Sequence, residues 1–225
     1  MKANEKKIVR ILVVEDHPVV REGLVSLLNR EPGFTVCCEA DSVQDAIGAF
    51  EKGGPDLVIV DLILRRGDGL DLVKQIRALD RKTPVLVLSM QDESLYAERA
   101  LRAGASGYIM KLEASRELVN AIRTVLSGDI YVSRKMNVRL LHRVLDPNPG
   151  EKESMAECLT DRELHVFQMI GSGLGTGQIA KELGLSAKTI ESHRENIKNK
   201  LGIATGAELV QRAVNWVETA KTPAS

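Results

Sequence analysis

Three acidic residues stand directly after short apolar stretches in the first half of the chain, where a strand would end. Glu15 and Asp16 follow the stretch 11–14, and Asp61 follows the stretch 57–60. If these stretches are neighbouring parallel strands, the three carboxylates meet at one edge of the sheet and repel one another unless a cation neutralises them. Oxygen ligands of this kind suit Mg²⁺, with Mn²⁺ as the alternative. We therefore expect a divalent-cation site there.

Two further residues suit phosphoryl chemistry at the same edge. Ser89 follows the stretch 85–88 and can donate a hydroxyl hydrogen bond. Lys111 follows the stretch 107–110 and supplies a fixed positive charge. Any one such residue is more often a helix cap or a solvated side chain. Together with the carboxylates, however, they indicate a site for in-line phosphoryl transfer to a carboxylate.

The elements that must position these residues alternate between apolar strands and amphipathic helices. The predicted strands cover residues 11–14, 34–38, 57–60, 85–88 and 107–110, and the predicted helices cover 19–29, 46–52, 70–79, 94–103 and 115–126. Strands that are apolar on both faces are typical of a parallel sheet covered on both sides. We predict an α/β domain over residues 8–128, a (βα)5 doubly wound sheet of flavodoxin-like order.

Several motifs of this domain resemble the CheY-like receiver domain of two-component response regulators. They are Leu12-Val13-Val14-Glu15-Asp16-His17, Pro55-Asp56-Leu57-Val58-Ile59-Val60-Asp61-Leu62, Gly67-Asp68-Gly69, Leu88-Ser89 and Gly104-Ala105-Ser106-Gly107-Tyr108-Ile109-Met110-Lys111. The resemblance covers the whole domain. It implies that Asp61 is the phosphoacceptor and that Mg²⁺ is bound directly by Asp16.

The same resemblance implies roles for residues around the acceptor. Glu15 would bind the ion through water, and the backbone carbonyl of Ile63 would be a further ligand. Ser89 would be the switch hydroxyl, and Lys111 would hold phosphoryl oxygens with it. Tyr108 would follow Ser89 inward, although ordinary strand packing also explains a tyrosine at this position.

Two positions depart from the receiver pattern. Arg65, followed by Arg66, stands where receivers usually have a proline four residues after the acceptor. The loop is therefore less rigid and more cationic, and we expect an altered phosphoryl lifetime. Leu112 replaces a second frequent proline, but receivers fused to this type of second domain often lack it.

The chain changes character after residue 128. Residues 134–145 could form a basic amphipathic connecting helix, and the stretch 146–154 has two prolines and a glycine among charges, which is typical of a flexible linker. We assign 129–157 to this connection, 158–219 to a domain of four helices and 220–225 to a tail. Its helices are predicted at 161–170, 177–183, 186–201 and about 205–217, with the middle pair forming a helix-turn-helix.

The third of these helices has the pattern of a DNA-reading helix. Its apolar side holds Ile190, Ile197 and Leu201 together with His193, which we interpret as a packed histidine rather than a base reader. Its opposite side carries polar residues that could read base edges. The charge of the domain is balanced, with seven basic and seven acidic residues over 158–219. Composition alone would therefore favour a helical interaction module over a nucleic-acid binder.

The motifs of this domain resemble the LuxR-type helix-turn-helix. They are Leu159-Thr160-Asp161-Arg162-Glu163-Leu164, Gln178-Ile179-Ala180-Lys181-Glu182-Leu183 and the stretch from Ser186 to Gly202. Combined with the receiver, they make the whole chain similar to the NarL/FixJ family of response regulators. The expected DNA contacts are Thr176, Lys188, Thr189, Glu191, Ser192, Arg194, Glu195, Lys198 and Lys200. Glu191 and Gly177 depart from the residues frequent in the family, which puts the operator sequence in question.

The resemblance implies a transcription regulator whose phosphorylation at Asp61 by a sensor histidine kinase controls dimerisation and promoter binding. RNA polymerase is a further candidate partner. The last helix is a candidate dimer surface, with packing against its own domain as the alternative. The unpaired cysteine set and the lack of an apolar leader predict a cytoplasmic protein without a membrane segment. Two rivals remain: a phosphoryl sink that drains a kinase, and a DNA-binding protein that works without phosphorylation.

Overall fold

The computed structural model describes residues 8–65, 67–145, 155 and 157–221. The chain divides into two compact units between Leu145 and Asp146. Among the described residues, none of the helices is both long and apolar enough to cross a membrane. Arg66 and the predicted flexible linker, residues 146–154, lie outside the described residues.

The first unit is built on one parallel sheet of five strands. The strands are β1 (Val9–Val14), β2 (Phe34–Ala40), β3 (Leu57–Val60), β4 (Val85–Ser89) and β5 (Gly107–Met110). Their order is β2-β1-β3-β4-β5, which confirms the flavodoxin-like order. In the register, Val14 pairs with Val60 and Ser89 pairs with Met110. The carboxyl ends of these strands therefore lie level along one edge.

Helices cover both faces of the sheet. They are α1 (Pro18–Arg30), α2 (Val43–Gly53), α3 (Gly69–Leu79), α4 (Glu93–Ala103) and α5 (Ala114–Leu126). One core cluster on the sheet joins Ile11, Ile59 and Leu88 to the inner face of α5, where Leu118 and Ile122 are buried. The predicted doubly wound α/β fold is confirmed.

A connecting helix, α6 (Arg134–Leu145), belongs to this first unit. The chain reaches it along the edge of the sheet, because the amide of Tyr108 donates to the carbonyl of Tyr131 at 2.8 Å. The backbone N–H of Ser133 donates to Glu93 at the start of α4, at 2.7 Å. Arg143, near the end of α6, forms an ion pair with Glu98 on α4. The connecting helix is therefore attached to α4 at both of its ends.

The second unit has four helices over residues 161–221: α7 (Asp161–Gly171), α8 (Thr176–Glu182), α9 (Ala187–Leu201) and α10 (Gly206–Lys221). Thr160 and Glu163 form the predicted capping box at the start of α7. Ser186 caps α9, and Gly202 ends it in the left-handed conformation. The core is lined by Phe167, Ile190, Ile197 and Leu209. Helices α8 and α9 give the predicted helix-turn-helix outline.

Candidate functional site

The sheet brings the predicted phosphoryl-site residues to one edge. The backbone amide of Asp61 donates to the carbonyl of Val14 at 2.9 Å, so the end of β3 is held beside the end of β1. The amide of Lys111 donates to the carbonyl of Ser89 at 2.8 Å and holds the end of β5 beside β4. The side chains of all these groups therefore start from neighbouring strands.

Lys111 is the cation that contacts the carboxylates of Asp61 and Glu15. Its Nζ lies 2.7 Å from Oδ2 of Asp61 and 2.6 Å from Oε2 of Glu15. Burial raises the pKa of Asp61 above its ordinary value, and the Glu15 charge adds to this effect while Lys111 opposes it. Burial alone would lower the pKa of Lys111, but the two carboxylates outweigh it and raise that pKa. The single positive charge of Lys111 thus offsets the buried negative charge of Asp61 and Glu15 only in part.

The carboxylates fit a divalent cation. Single ligand atoms from Glu15, Asp16, His17 and Asp61 all lie within 4.8 Å of one another. Oε2 of Glu15 and Oδ1 of Asp16 are buried, and neither has a hydrogen-bond partner among the described residues. Lys111 makes a charge contact with Oε2 of Glu15 but does not meet the angle of a hydrogen bond. Buried carboxylate oxygens without donors are costly unless a cation supplies the missing charge. The set is the oxygen-rich one that Mg²⁺ or Mn²⁺ prefers.

His17 is a member of this group that the sequence reasoning missed. Its Nδ1 lies 2.9 Å from Oδ1 of Asp16 and 3.1 Å from Oε1 of Glu15. Its position directly after the two acidic residues was visible in the sequence, but the direction of its ring was not.

The loop after β3 also contacts the carboxylates of the site. The amide of Arg65 donates to Oδ2 of Asp16 at 2.8 Å, and its Nε lies 3.6 Å from the same oxygen. The amide of Ile63 points to Oδ1 of Asp61 at 3.4 Å. At Gly69, a Cβ would overlap the carbonyl oxygen of Asp61, so this glycine lets the start of α3 approach the end of β3. Arg65 is thus part of the site rather than a distant loop residue.

Ser89 and Tyr108 lie next to this group, and both are fully buried. The Ser89 hydroxyl accepts from the amide of Gln91 at 3.3 Å, and the Tyr108 hydroxyl donates to the carbonyl of Gln91 at 2.7 Å. Burial raises the pKa of Tyr108 well above its ordinary value, so the phenol remains protonated. Both predicted switch residues therefore touch the segment that leads into α4.

The reading face predicted for α9 lies on the surface of the second unit. Lys188, Glu191, Ser192, Glu195 and Asn199 are exposed, whereas Ile190 and Ile197 are buried. His193 is half-buried, and burial lowers its pKa.

Several of the predicted DNA contacts are tied to neighbours on the protein. The Thr176 hydroxyl donates to Glu191 at 2.6 Å and links α8 to α9. Lys200 lies 2.6 Å from Glu163 of α7, so its ammonium is drawn toward its own domain. Among the other cations, Lys198 pairs with Glu195 at 2.7 Å, and Arg194 lies 3.7 Å from Glu191. Lys188 and Thr189 stand in the first turn of α9, where Thr189 donates its amide to the Ser186 hydroxyl at 3.0 Å.

Helix α10 packs on α7 within the unit. Leu209 and Ala213 are fully buried, and a Cβ at Gly171 would overlap the carbonyl of Ala213. The candidate dimer surface of this helix consists of Leu209, Val210, Ala213, Val214 and Val217, and of these Val210 is the exposed one. This arrangement favours packing against its own domain, the alternative reading of this helix.

Comparison with known proteins agrees with this architecture. Residues 11–123 match the response regulator receiver domain, and residues 157–213 match the luxR family of bacterial regulatory proteins. The chain is 34% identical to the oxygen regulatory protein NreC of Staphylococcus carnosus, covering 91% of this chain and 96% of that protein. It is 33% identical to the fimbriae Z protein of Salmonella typhimurium, covering 90% of this chain and 95% of that protein.

Solved structures show the same fold. A LuxR-family two-component response regulator from Aurantimonas sp. SI85-9A1 is 34% identical, with a TM-score of 0.58, and covers 62% of this chain and 100% of that one. RcsB from Salmonella enterica serovar Typhimurium was solved bound to the promoter rprA in the presence of the phosphomimetic BeF3⁻. It is 24% identical to this chain, with a TM-score of 0.60, and the match covers 93% of this chain and 98% of that one. At that identity RcsB supports the fold alone.

A receiver fold with its acidic edge and a luxR-type helix-turn-helix occur on one chain whose relatives match along almost their whole length. The chain therefore belongs to the NarL/FixJ family of two-component response regulators and is a transcription regulator with a LuxR-type DNA-binding domain.

Proposed function

We propose that Asp61 accepts a phosphoryl group from a sensor histidine kinase and that this modification controls dimerisation and promoter binding. The observation that carries the proposal is the position of the Asp61 carboxylate, which lies against Lys111 and beside the buried carboxylates of Glu15 and Asp16, each of which has one oxygen without a hydrogen-bond donor among the described residues. An acidic pocket of this kind serves no packing purpose, because its charges are costly to bury without a cation.

The residues of the site divide the work of phosphoryl transfer. An oxygen of Asp61 attacks phosphorus while the bond from phosphorus to the histidine nitrogen of the kinase breaks, so the phosphoryl group moves and the imidazole is released. Lys111 and Ser89 offer a charge and a hydroxyl to the phosphoryl oxygens. Glu15, Asp16, Asp61 and the carbonyl of Ile63 would hold Mg²⁺ or Mn²⁺, which when bound supplies the charge that offsets the transferring group.

The route out of the site runs through the segment between β4 and α4. Ser89 and Tyr108 both bond to Gln91. When Ser89 turns to the phosphoryl group, its bond to the Gln91 amide is lost, whereas Tyr108, which is already buried rather than moving inward as expected from the sequence, can keep its bond to the Gln91 carbonyl. The next residues begin α4, which is attached to α6 through Glu93 and Glu98. A shift in α4 would therefore reach the connecting helix, provided that the two packings differ in these contacts.

The output is DNA binding by α9. Its exposed face carries donors and acceptors for base edges in a major groove, and its first turn offers backbone N–H groups to a phosphate. Because the domain is electrically balanced, one copy binds DNA weakly, and two copies on paired half-sites give useful affinity. We propose residues 8–128 as the receiver, 129–157 as the connection and 158–219 as the DNA-binding domain.

The test is incubation of the full chain with a small phosphodonor and Mg²⁺, followed by measurement of mass, oligomeric state and DNA binding on the same sample. We expect a phosphorylated protein that dimerises and binds its promoter more tightly, and no change in Asp61→Asn. Phosphorylation without any gain in specific DNA binding would instead indicate a phosphoryl sink. Equal promoter binding by Asp61→Asn and the wild type would indicate a regulator that works without phosphorylation.

A further inference from the structure

We infer that His17 is an imidazole ligand of the divalent cation at Asp61 and that the site therefore takes a transition metal such as Mn²⁺ in preference to Mg²⁺. This inference rests on the proposed function, since it requires a cation site at the acidic edge. It adds a nitrogen ligand to a site otherwise composed of oxygen.

The distances around His17 match those between neighbouring ligands of one ion. In an octahedral site with bonds of about 2.1 Å, adjacent ligand atoms lie about 3.0 Å apart. Nδ1 of His17 lies 2.9 Å from Oδ1 of Asp16 and 3.1 Å from Oε1 of Glu15. The ring nitrogen and both carboxylates can therefore face a single cation.

The ring is directed to the carboxylates without serving the helix that follows. His17 stands at the N-cap position of α1, but its side chain makes no capping hydrogen bond, and Pro18 begins the helix. Its backbone N–H donates to Oε1 of Glu15 at 3.1 Å, which holds the residue beside the acidic group. About half of the side chain is exposed, so an ion from solvent can reach it.

The carboxylate oxygens that His17 approaches need a cation. Oδ1 of Asp16 is buried and has no hydrogen bond of proper geometry among the described residues, although the His17 ring lies beside it. Lys111 contacts Oε2 of Glu15 and Oδ2 of Asp61, and Arg65 contacts the other oxygen of Asp16. Oδ1 of Asp16, the oxygen beside His17, is therefore contacted by neither of these two cations.

The chemistry of the ligand determines which ion is favoured. Imidazole nitrogen suits first-row transition metals, whereas Mg²⁺ prefers oxygen and retains its waters. A neutral imidazole also completes the ligand set without adding charge to three carboxylates and one lysine. His17 should therefore raise affinity for Mn²⁺ more than affinity for Mg²⁺.

The test uses Mn²⁺ bound to the untagged full chain and pulsed electron paramagnetic resonance, which detects nitrogen-14 coordinated to the ion. We expect modulation from one imidazole in the wild type and in His142→Gln, whose histidine is exposed on α6. The modulation should disappear in His17→Gln while the ion stays bound. In titration calorimetry, we expect His17→Gln to lose about tenfold in Mn²⁺ affinity and much less in Mg²⁺ affinity.

The possible failures are distinguishable. Mn²⁺ that binds at the acidic edge without nitrogen modulation in the wild type would overturn the role of His17 and leave the proposed function intact. Equal losses for both ions in His17→Gln would also contradict the inference, because His17 would then only orient the carboxylates. Failure of the wild type to bind either ion would overturn the proposed cation site itself.

Discussion

Nζ of Lys111 lies 2.7 Å from Oδ2 of Asp61, so the cation at the end of β5 contacts the carboxylate at the end of β3 across the intervening strand β4. Lys111 also serves Glu15, and one positive charge is therefore shared between two buried anions. The site therefore retains excess negative charge, which lowers the stability of the folded domain.

The first prediction concerns the stability of Asp61→Asn without metal. Because burial raises the folded-state pKa of Asp61 above the unfolded value of 3.8, the unfolded chain loses this proton more easily. The ionised group thus destabilises the fold at pH 7, and Asp61→Asn should be more stable there than the wild type. Lys111 still pairs with Glu15 in the variant. Urea unfolding in EDTA checks this.

The difference should shrink as the pH falls through the raised pKa toward 3.8, because both side chains are then neutral. Added Mg²⁺ should stabilise the wild type in proportion to its saturation and should narrow the gap with Asp61→Asn. A variant less stable than the wild type at pH 7 would contradict the charge imbalance described above.

The second prediction concerns Arg65. Proline at this position would remove both the guanidinium and the N–H that donates to Asp16 at 2.8 Å, whereas Arg65→Met removes the guanidinium alone. The exposed Arg65 guanidinium competes with the ion for the Asp16 carboxylate, and such an ion pair is worth about 0.2–1 kcal/mol. Because Arg65→Met removes this competitor, the variant should bind Mg²⁺ up to about fivefold more tightly. We expect a longer acyl-phosphate half-life in Arg65→Pro, since Asp16 loses its backbone donor.

Decay of the acyl phosphate in the two variants and the wild type can be followed side by side at saturating Mg²⁺. Equal half-lives in Arg65→Pro and the wild type would show that Arg65 does not influence the lifetime of the acyl phosphate.

The third prediction concerns the attachment of α6 to α4. Glu98→Gln weakens the ion pair with Arg143, and we expect faster hydrogen exchange over residues 134–145 with a loss of stability below about 1 kcal/mol. If α4 transmits the signal through α6, the unphosphorylated variant should also bind promoter DNA more tightly than the wild type.

Asp71→Asn is the matched control, because its partner Lys74 lies 3.0 Å away on the same exposed surface of α3. Unchanged exchange in α6 of Glu98→Gln, or the same change in Asp71→Asn, would argue against transmission through this contact.

The fourth prediction concerns the acid stability of the second unit. Burial lowers the pKa of His165 to about 4, and Arg162 adds to this effect. The unfolded histidine takes up a proton near 6.5, so the unit should lose stability as the pH falls from 6.5 to about 4. Between pH 7 and pH 5 we expect a loss of about 2 kcal/mol from this residue, because each pH unit contributes about 1.4 kcal/mol.

Fluorescence of Trp216, the single tryptophan, reports this unit, since its ring packs against Phe167 at 5.8 Å. His165→Gln should flatten the pH dependence, and His142→Gln should not change it. The same slope in all three proteins would show that His165 is not the group responsible.

Much of the fold was predictable because apolar runs and caps are local signals. The stretches 57–60 and 107–110 were predicted as strands, and the structure has them as β3 and β5 with the same bounds. Strand β2 is two residues longer than predicted and α2 begins earlier, since Ser42 caps it directly. Such ends depend on hydrogen bonds to neighbouring elements, which periodicity does not contain.

The site was predictable only in part. Residues at strand ends converge because the sheet order requires it, and this placed Asp61 with Glu15 and Lys111. The ring direction of His17, the pairing of Lys200 with Glu163 and the attachment of Arg143 to Glu98 depend on rotamers and on packing between distant segments. Nothing in the local pattern of the sequence carries that information.

The most direct measurement locates the phosphoryl group. After treatment with a small phosphodonor and Mg²⁺, borohydride reduction converts an aspartyl phosphate to homoserine, and mass spectrometry of the tryptic peptide 53–65 finds the altered residue. This peptide contains both Asp56 and Asp61, so its fragments decide between them. We expect homoserine at position 61 alone and none in Asp61→Asn. Modification at Asp56, or an unaltered peptide under conditions where the donor is consumed, would contradict it.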